Sequence, residues 1–216
     1  VFTPSPDSAA RETSGAPGIL EAVRPLVLAS GSPRRREMLA GLGLRFEVLQ
    51  SPEPEPLPLP GEAARDYALR AAQAKAQAVA ALRPGAVVLG SDTVVVLGDE
   101  IMGKPADPDE AMLMLTRLVG TTHHVVSSCV LLRPDGPPAR LAVSTEVTMG
   151  PQPLGVILAY VATGEPLDKA GAYAIQGRGG FLVERIRGSY TNVVGLPLAE
   201  VVEVLVSWGV VAPRQD

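Results

Sequence analysis

At 216 residues, 46% of them apolar and 19% charged, the chain is long enough to bury a sizeable core and too apolar for a disordered segment. A formal net charge of −4 argues against a nucleic-acid coat, so no stable nucleic-acid partner is expected, which leaves room for a local basic pocket. Cys129 is the single cysteine and excludes an internal disulfide; no apolar run is long enough for a bilayer, so no membrane is implied and the default location is cytoplasmic.

Residues 1–25 are rich in Pro, Ser, Ala and Gly and read as a mobile N-terminal arm, whereas 26–212 read as a single domain without internal repeat or linker. The apolar run Leu26–Ala29 predicts a strand. Ser30-Gly31-Ser32-Pro33-Arg34-Arg35 then turns the chain into a helix over Pro33–Leu42, with Ser32 as its cap and Pro33 at its first position. Unpaired backbone N–H groups and the helix dipole favour an anion there, and Arg34 and Arg35 add planar forks matched to phosphate oxygens. Taken alone the corner is either a phosphate site or a solvated first turn. A short strand is expected at Arg45–Leu49, then a proline-stiffened loop from Ser51 to Pro60 that carries Glu55. A long helix follows from about Glu62 to Leu82. Its Tyr67, Ala71, Ala74, Ala78 and Leu82 recur at helical spacing as the packed face, with Lys75 beside them.

Ala86–Leu89 and Thr93–Leu97 predict strand segments interrupted by Gly90-Ser91-Asp92, and Gly98-Asp99 predicts a tight turn into Glu100–Met102. Asp92 is therefore either a turn residue or a buried carboxylate that needs a compensating cation. In Gly103-Lys104-Pro105, glycine allows close approach to a ligand and proline fixes the exit. Asp107-Pro108-Asp109-Glu110 resembles a capping box opening a helix that ends at Gly120. His123–Leu132 and Arg140–Met149 read as strands, on which His123 and His124 face opposite ways and cannot chelate one metal. A helix near Pro153–Thr163, loop and strands over Gly171–Val194 and a last helix at Pro197–Trp208 complete an α/β alternation. Gln176, in the loop region, could read a base edge or cap a turn.

Two arginines (Arg34, Arg35) and two lysines (Lys75, Lys104) would neutralise a polyphosphate. Glu55 and Asp92 would hold a divalent cation, or one of them would activate water. This is equipment for phosphoanhydride hydrolysis.

The segments LASGSPRRREML, YALRAAQAKA, LGSDTVVVLGDEIMGKP, DKAGAYAIQG and GSYTNVVGLPL, in order between Leu26 and Trp208, resemble the Maf family of nucleoside triphosphate pyrophosphatases. That family shares its fold with the inosine triphosphate pyrophosphatases. The resemblance implies a mixed central sheet flanked by helices with a deep cleft, a homodimer, and hydrolysis of a nucleoside triphosphate to monophosphate and pyrophosphate with Mg²⁺ or Mn²⁺. Carried over by motif, Asp92 is the proton acceptor or a metal carboxylate, and Glu55 is the loop glutamate of the catalytic and metal set. Ser32, Arg34, Arg35, Lys75 and Lys104 face phosphate, Lys104 with a catalytic share, while Arg34, Thr93 and Gln176 bear on substrate choice. SPRR, Asp92-Thr93 and the IQG around Gln176 resemble the branch acting on dTTP and UTP rather than the one acting on 7-methyl-GTP. The role implied is clearance of pyrimidine and modified nucleotides, with a link to cell-division arrest. The chain departs from the family pattern in having Pro52-Glu53-Pro54-Glu55 in place of a D-x-D-E run, and Leu118-Val119-Gly120 in place of L-S-G. The competing expectation is a non-catalytic nucleotide- or nucleic-acid-binding regulator of septum formation.

Overall fold

One strand organises the molecule. In the computed structural model, which describes residues 18–215, β4 runs without a break over Val87–Leu97. The expected interruption at Gly90-Ser91-Asp92 is absent, and Asp92 sits mid-strand, opposite Ser128 of β6 (Thr122–Leu132). Gly90 serves packing and not a turn. A Cβ there would lie 2.3 Å from the Ala72 carbonyl oxygen and 2.8 Å from Ala76 Cβ on α2 (Ala64–Leu82). The bare strand backbone lets that helix settle directly on the sheet.

The remaining elements follow from β4. β1 is Leu20–Ala22, β2 Leu26–Ala29, α1 Pro33–Gly41, β3 Glu47–Val48 and β5 Glu100–Met102. Beyond them come α3 (Pro108–Leu118), β7 (Ala139–Met149), α4 (Leu154–Val161), β8 (Val183–Arg187), α5 (Tyr190–Val194), α6 (Leu198–Ser207) and β9 (Val211–Pro213). Three 3₁₀ turns lie between α4 and β8. The main sheet has the order β3-β2-β4-β6-β7-β8, with β5 also paired to β4. β3, β2 and β4 are parallel, while β6, β7 and β8 add antiparallel to them in turn. This is a mixed α/β fold with helices on both faces of a central sheet.

The register opens a window beside β4. β2 stops at Ala29, paired with Gly90, and β5 begins pairing only at Val95. Between them Ser91–Val94 have no strand on that edge, because the chain leaves the carboxyl end of β2 into α1. A crevice at the carboxyl end of parallel strands is where α/β sheets hold ligands.

Apolar clusters pack the sheet that frames this window. α2 covers one face with Ala72, Ala76 and Val79 against Val27, Val88 and Val130. Leu39 of α1 and Val201 and Leu205 of α6 join Leu28, Leu89 and Leu131 on the other. A third cluster, with Leu115 and Leu118 of α3 and Ile157 and Tyr160 of α4, closes the far end around Val95 and Met149.

Several expectations shift. α2 buries Tyr67, Ala68, Ala71, Ala72, Ala76 and Val79, so Ala74 and Ala78 lie at the margin and Leu82 is exposed. An alanine-rich helix has little contrast between faces, and beyond Ala71 the buried stripe runs through Ala72, Ala76 and Val79 instead of the expected Ala74, Ala78 and Leu82. Ser32 occupies the N-cap of α1 but makes no side-chain cap bond; the Ser30 hydroxyl accepts from the Ser32 N–H instead, at 3.3 Å. The expected arm ends early, since Leu20–Ala22 pairs antiparallel with Val211–Pro213; residues 1–17 lie outside the described residues. A helix, α5, falls inside the region expected as loop and strands, with the Ser189 hydroxyl accepting from the Asn192 N–H as its cap. The capping of α3 holds as expected: Asp107 accepts from the Glu110 N–H at 2.8 Å.

Candidate active site

The window beside β4 leads into a cleft of about 480 Å³. All nine residues singled out from the sequence line it: Ser32, Arg34, Arg35, Glu55, Lys75, Asp92, Thr93, Lys104 and Gln176.

Asp92 points from mid-strand toward α2, its side chain only 6% exposed. The Lys75 ammonium donates to Asp92 Oδ1 at 2.6 Å and to Glu55 Oε2 at 2.7 Å, so one cation joins both carboxylates. Asp92 Oδ2 is buried and has no partner among the described residues. Burial pushes the Asp92 carboxyl up, Lys75 opposes this, and Glu55 adds to it; the net effect is a carboxylate that holds a proton more tightly than usual. Glu55, on its loop, is 45% exposed. Burial lifts its carboxyl too, but the Lys75 hydrogen bond and charge, backed by Lys104 and Arg35, hold it below the usual range. The two carboxylates are thus driven apart, Asp92 holding a proton more readily than Glu55.

Arg35 does not present its fork to the cleft. Its Nε donates to the Gly195 carbonyl at 2.8 Å, Nη1 to Ser30 Oγ at 3.0 Å and to the Ser91 carbonyl at 2.9 Å, and Nη2 to Thr93 Oγ1 at 3.0 Å. Of the five guanidinium N–H groups, these four bonds leave one on Nη2. Arg35 therefore satisfies the β4 edge that no strand covers and ties it to α5 and the β2–α1 corner. Arg34, half-buried beside it, is the arginine that can present a fork. The Thr93 hydroxyl is likewise engaged, with Arg35, with Ser127 Oγ at 2.8 Å and with the Gly195 carbonyl at 3.3 Å.

The opposite wall holds exposed Lys104, the pair Asp168–Lys169, and the segment Tyr173–Gln176, with Gln176 exposed at the rim. His123 takes a core role. Its Nε2 is 2.8 Å from the Tyr173 hydroxyl, and burial lowers its pKa to about 4, so the ring is neutral.

Three lining residues escaped the sequence reading of roles. The Tyr67 hydroxyl donates to Glu55 Oε1 at 3.4 Å, and burial with two nearby carboxylates raises its pKa and keeps it a donor. Its helical spacing marks Tyr67 only as packing, although Lys75 two turns on lies on the same side of the helix. Asp168 and Lys169 stand in the recognised DKAGAYAIQG segment, where the signal was an acid–base dipeptide just before a Gly-containing turn.

Among the described residues no three His, Cys, Asp or Glu side chains gather as a metal cage. The carboxylate pair nevertheless fits a hard cation of the Mg²⁺ kind, which takes one or two carboxylates and completes its shell with water and substrate phosphate oxygens. The partnerless Asp92 Oδ2 is the oxygen that such an ion would satisfy.

Relatives align over most of the chain. A protein named dTTP/UTP pyrophosphatase from Nitratidesulfovibrio vulgaris is 51% identical over 90% of this chain and 92% of its own. One from Geobacter sulfurreducens is 53% identical over 83% and 94%, and one from Myxococcus xanthus 51% over 87% and 94%. A solved nucleoside-triphosphatase / dITP/XTP pyrophosphatase from Mycobacterium abscessus, 18% identical over 85% of this chain and 97% of that one, superposes with a TM-score of 0.44, too distant to carry an argument. The model of the family described as Maf-like protein matches residues 25–208, and with half the residues shared across these relatives the chain belongs to that family.

Proposed function

We propose that this protein hydrolyses the pyrimidine nucleoside triphosphates dTTP and UTP, and modified forms of them, between the α- and β-phosphates. The observation that carries the reading is the Asp92–Lys75–Glu55 array, with one carboxylate oxygen unpartnered, in a cleft whose other charged groups are mainly cations. The names of relatives sharing half of its residues agree with it.

Asp92 accepts a proton from water as the water oxygen attacks the α-phosphorus. The new P–O bond replaces the bridging bond to the β-phosphate, and pyrophosphate departs with the bonding pair. Arg34 and Lys104 offset charge on the leaving phosphates, and donors fixed in advance need no rearrangement as that charge builds. Glu55, with Asp92, would hold a divalent cation whose contribution is Lewis-acid neutralisation of the phosphate oxygens. Arg34, Thr93 and Gln176 are the groups proposed to bear on the choice of base. A homodimer is part of this proposal on the family resemblance alone, and the mass in solution checks it.

The test is a panel of nucleoside triphosphates with Mg²⁺ or Mn²⁺, with products separated and Asp92→Asn run alongside. UMP and pyrophosphate from UTP, absent in the variant, support the proposal. Tight binding of intact UTP with no turnover would replace it with the non-catalytic regulator.

A further inference from the structure

The cleft contains one more cation than the expected phosphate set. Lys169 lines it with a side chain only 12% exposed, and its ammonium is paired with the carboxylate of Asp168, which is 65% exposed. A lysine drawn this far out of solvent beside an anion cleft is an unusual arrangement, since the stem normally carries the charge outward.

The chain is constrained to put it there. After Lys169, Gly171 adopts φ 65°, pressed so closely on β4 that a Cβ would meet Val95 Cγ2 at 2.8 Å. Ala172 follows at φ 60°, the single non-glycine residue with positive φ among those described. Such a conformation persists only where the surroundings enforce it, and it gathers at functional sites. The enforcement is visible: the Gly171 N–H donates to the Gly103 carbonyl at 2.9 Å and the Ala172 N–H to the Lys169 carbonyl at 3.1 Å. The first bond ties the turn to the loop that carries Lys104. Two lysines are thereby mounted on one wall through a shared backbone link.

The charge inventory points the same way. Arg35 has one N–H left, and Lys75 already serves two carboxylates. Of the four cations expected for a polyphosphate, Arg34 and Lys104 alone are uncommitted among the described residues, two side chains for three phosphoryl groups.

On the reading of the cleft as a triphosphate site, we propose that Lys169 is a further ligand of the substrate phosphates. Asp168 holds the ammonium until an anion arrives, and its exposed carboxylate then turns to solvent as phosphate oxygens replace it.

The experiment is titration calorimetry of the full chain with inorganic pyrophosphate at fixed Mg²⁺, beside the KM and kcat for UTP. Lys169→Met is expected to weaken pyrophosphate binding by at least about fivefold, the loss of one charge-assisted hydrogen bond, and to raise KM for UTP more than it lowers kcat. Lys169→Arg retains most of the affinity, and Asp168→Asn binds pyrophosphate as well as the parent or more tightly. A smaller loss in Lys169→Met, or a loss in Asp168→Asn as large as that in Lys169→Met, overturns the assignment, the latter because it makes the pair a structural tie. Lys169→Gln replaces the methionine variant should thermal melting show that the latter is unfolded. The two proposals separate cleanly: a parent enzyme that cleaves UTP while Lys169→Met binds normally sinks this inference alone. A parent that cleaves no nucleotide, with pyrophosphate binding still dependent on Lys169, sinks the functional reading and leaves this one standing.

Discussion

Lys75 and Asp92 meet at 2.6 Å through a single carboxylate oxygen, while the other, Oδ2, is buried without a partner among the described residues. Lys75 neutralises the charge that burial would otherwise make untenable, yet it leaves Asp92 short of one hydrogen bond. Burial still outweighs it and raises the Asp92 carboxyl above its ordinary range. A side chain held in that condition is costly for stability and suited to accepting a proton.

Asp92→Asn is therefore expected to lower kcat by about 10²-fold or more, the usual range for removing a positioned general base. It should melt no lower than the parent at pH 7. Because the folded Asp92 has a raised pKa, its favourable contribution to folding is present at low pH and is lost as pH rises through that value. The asparagine variant escapes that loss, so its advantage should appear at neutral pH and shrink on acidification. Melting curves across pH check the sign; a variant less stable at pH 7 than at pH 4, relative to the parent, contradicts it.

Removing the cation should act in the opposite direction. Lys75→Met leaves Asp92 and Glu55 facing each other without the ammonium that joins them. A buried acceptor stripped of its partner costs about 1–3 kcal/mol, so denaturant midpoints should fall accordingly. Adding Asp92→Asn to this variant should restore most of the stability and none of the activity. A double-mutant cycle with no coupling would show that the pair is not the unit described here.

Much of this site was legible because its parts are local. The strand–turn–helix corner, the hairpin at Gly98-Asp99 and the Asp107–Glu110 cap are each written within a few residues, and each is present. Asp92 was legible as a residue but not as a conformation. Gly90-Ser91-Asp92 reads as a turn, and only the helix lying on Gly90 explains why the strand continues. Arg35 was beyond local reading altogether, because its partner Gly195 is 160 residues away and the open edge of β4 that it fills exists only once β2 and β5 are in register.

Gly90 gives that argument a direct test. In Gly90→Ala the new methyl meets the Ala72 carbonyl at 2.3 Å and the Ala76 N–H at 2.8 Å, and backbone cannot rotate aside as a side chain would. The helix must lift, at a cost of about 1–3 kcal/mol. Lys75 and Tyr67 ride on the same helix, so activity should fall by more than the unfolded fraction accounts for. Activity proportional to folded protein would mean that the helix absorbs the methyl without moving the site.

His123 predicts the acid limb of stability. It is buried beside Tyr173 with its pKa lowered to about 4, against 6.5 for the free ring. A histidine depressed in this way contributes stability that is present above pH 6.5 and lost as pH falls toward 4, where the ring must charge. The shift corresponds to roughly 3 kcal/mol across that window. His123→Gln keeps a polar group near the Tyr173 hydroxyl and cannot titrate. Its chemical stability should be flatter between pH 6.5 and 4 than that of the parent. Parallel curves would assign the acid limb to the carboxylates instead.

Base preference should respond to Gln176 more cleanly than to Thr93. The Thr93 hydroxyl is bound to Arg35, Ser127 and Gly195, so its removal disturbs the support of β4 together with any contact to substrate. Gln176 is exposed at the cleft rim, and its amide offers both a donor and an acceptor to a pyrimidine edge. Losing such a bond is worth about 0.5–1.5 kcal/mol, so Gln176→Ala should lower the kcat/KM ratio of UTP over CTP by roughly three- to tenfold. The kcat for UTP itself should change less, because the amide has no bond to the Asp92–Lys75 array. Thr93→Ala, by contrast, should lower the melting temperature as well as the ratio. Competing hydrolysis of the two nucleotides in one mixture measures the ratio directly, and an unchanged ranking in Gln176→Ala would remove this residue from substrate choice.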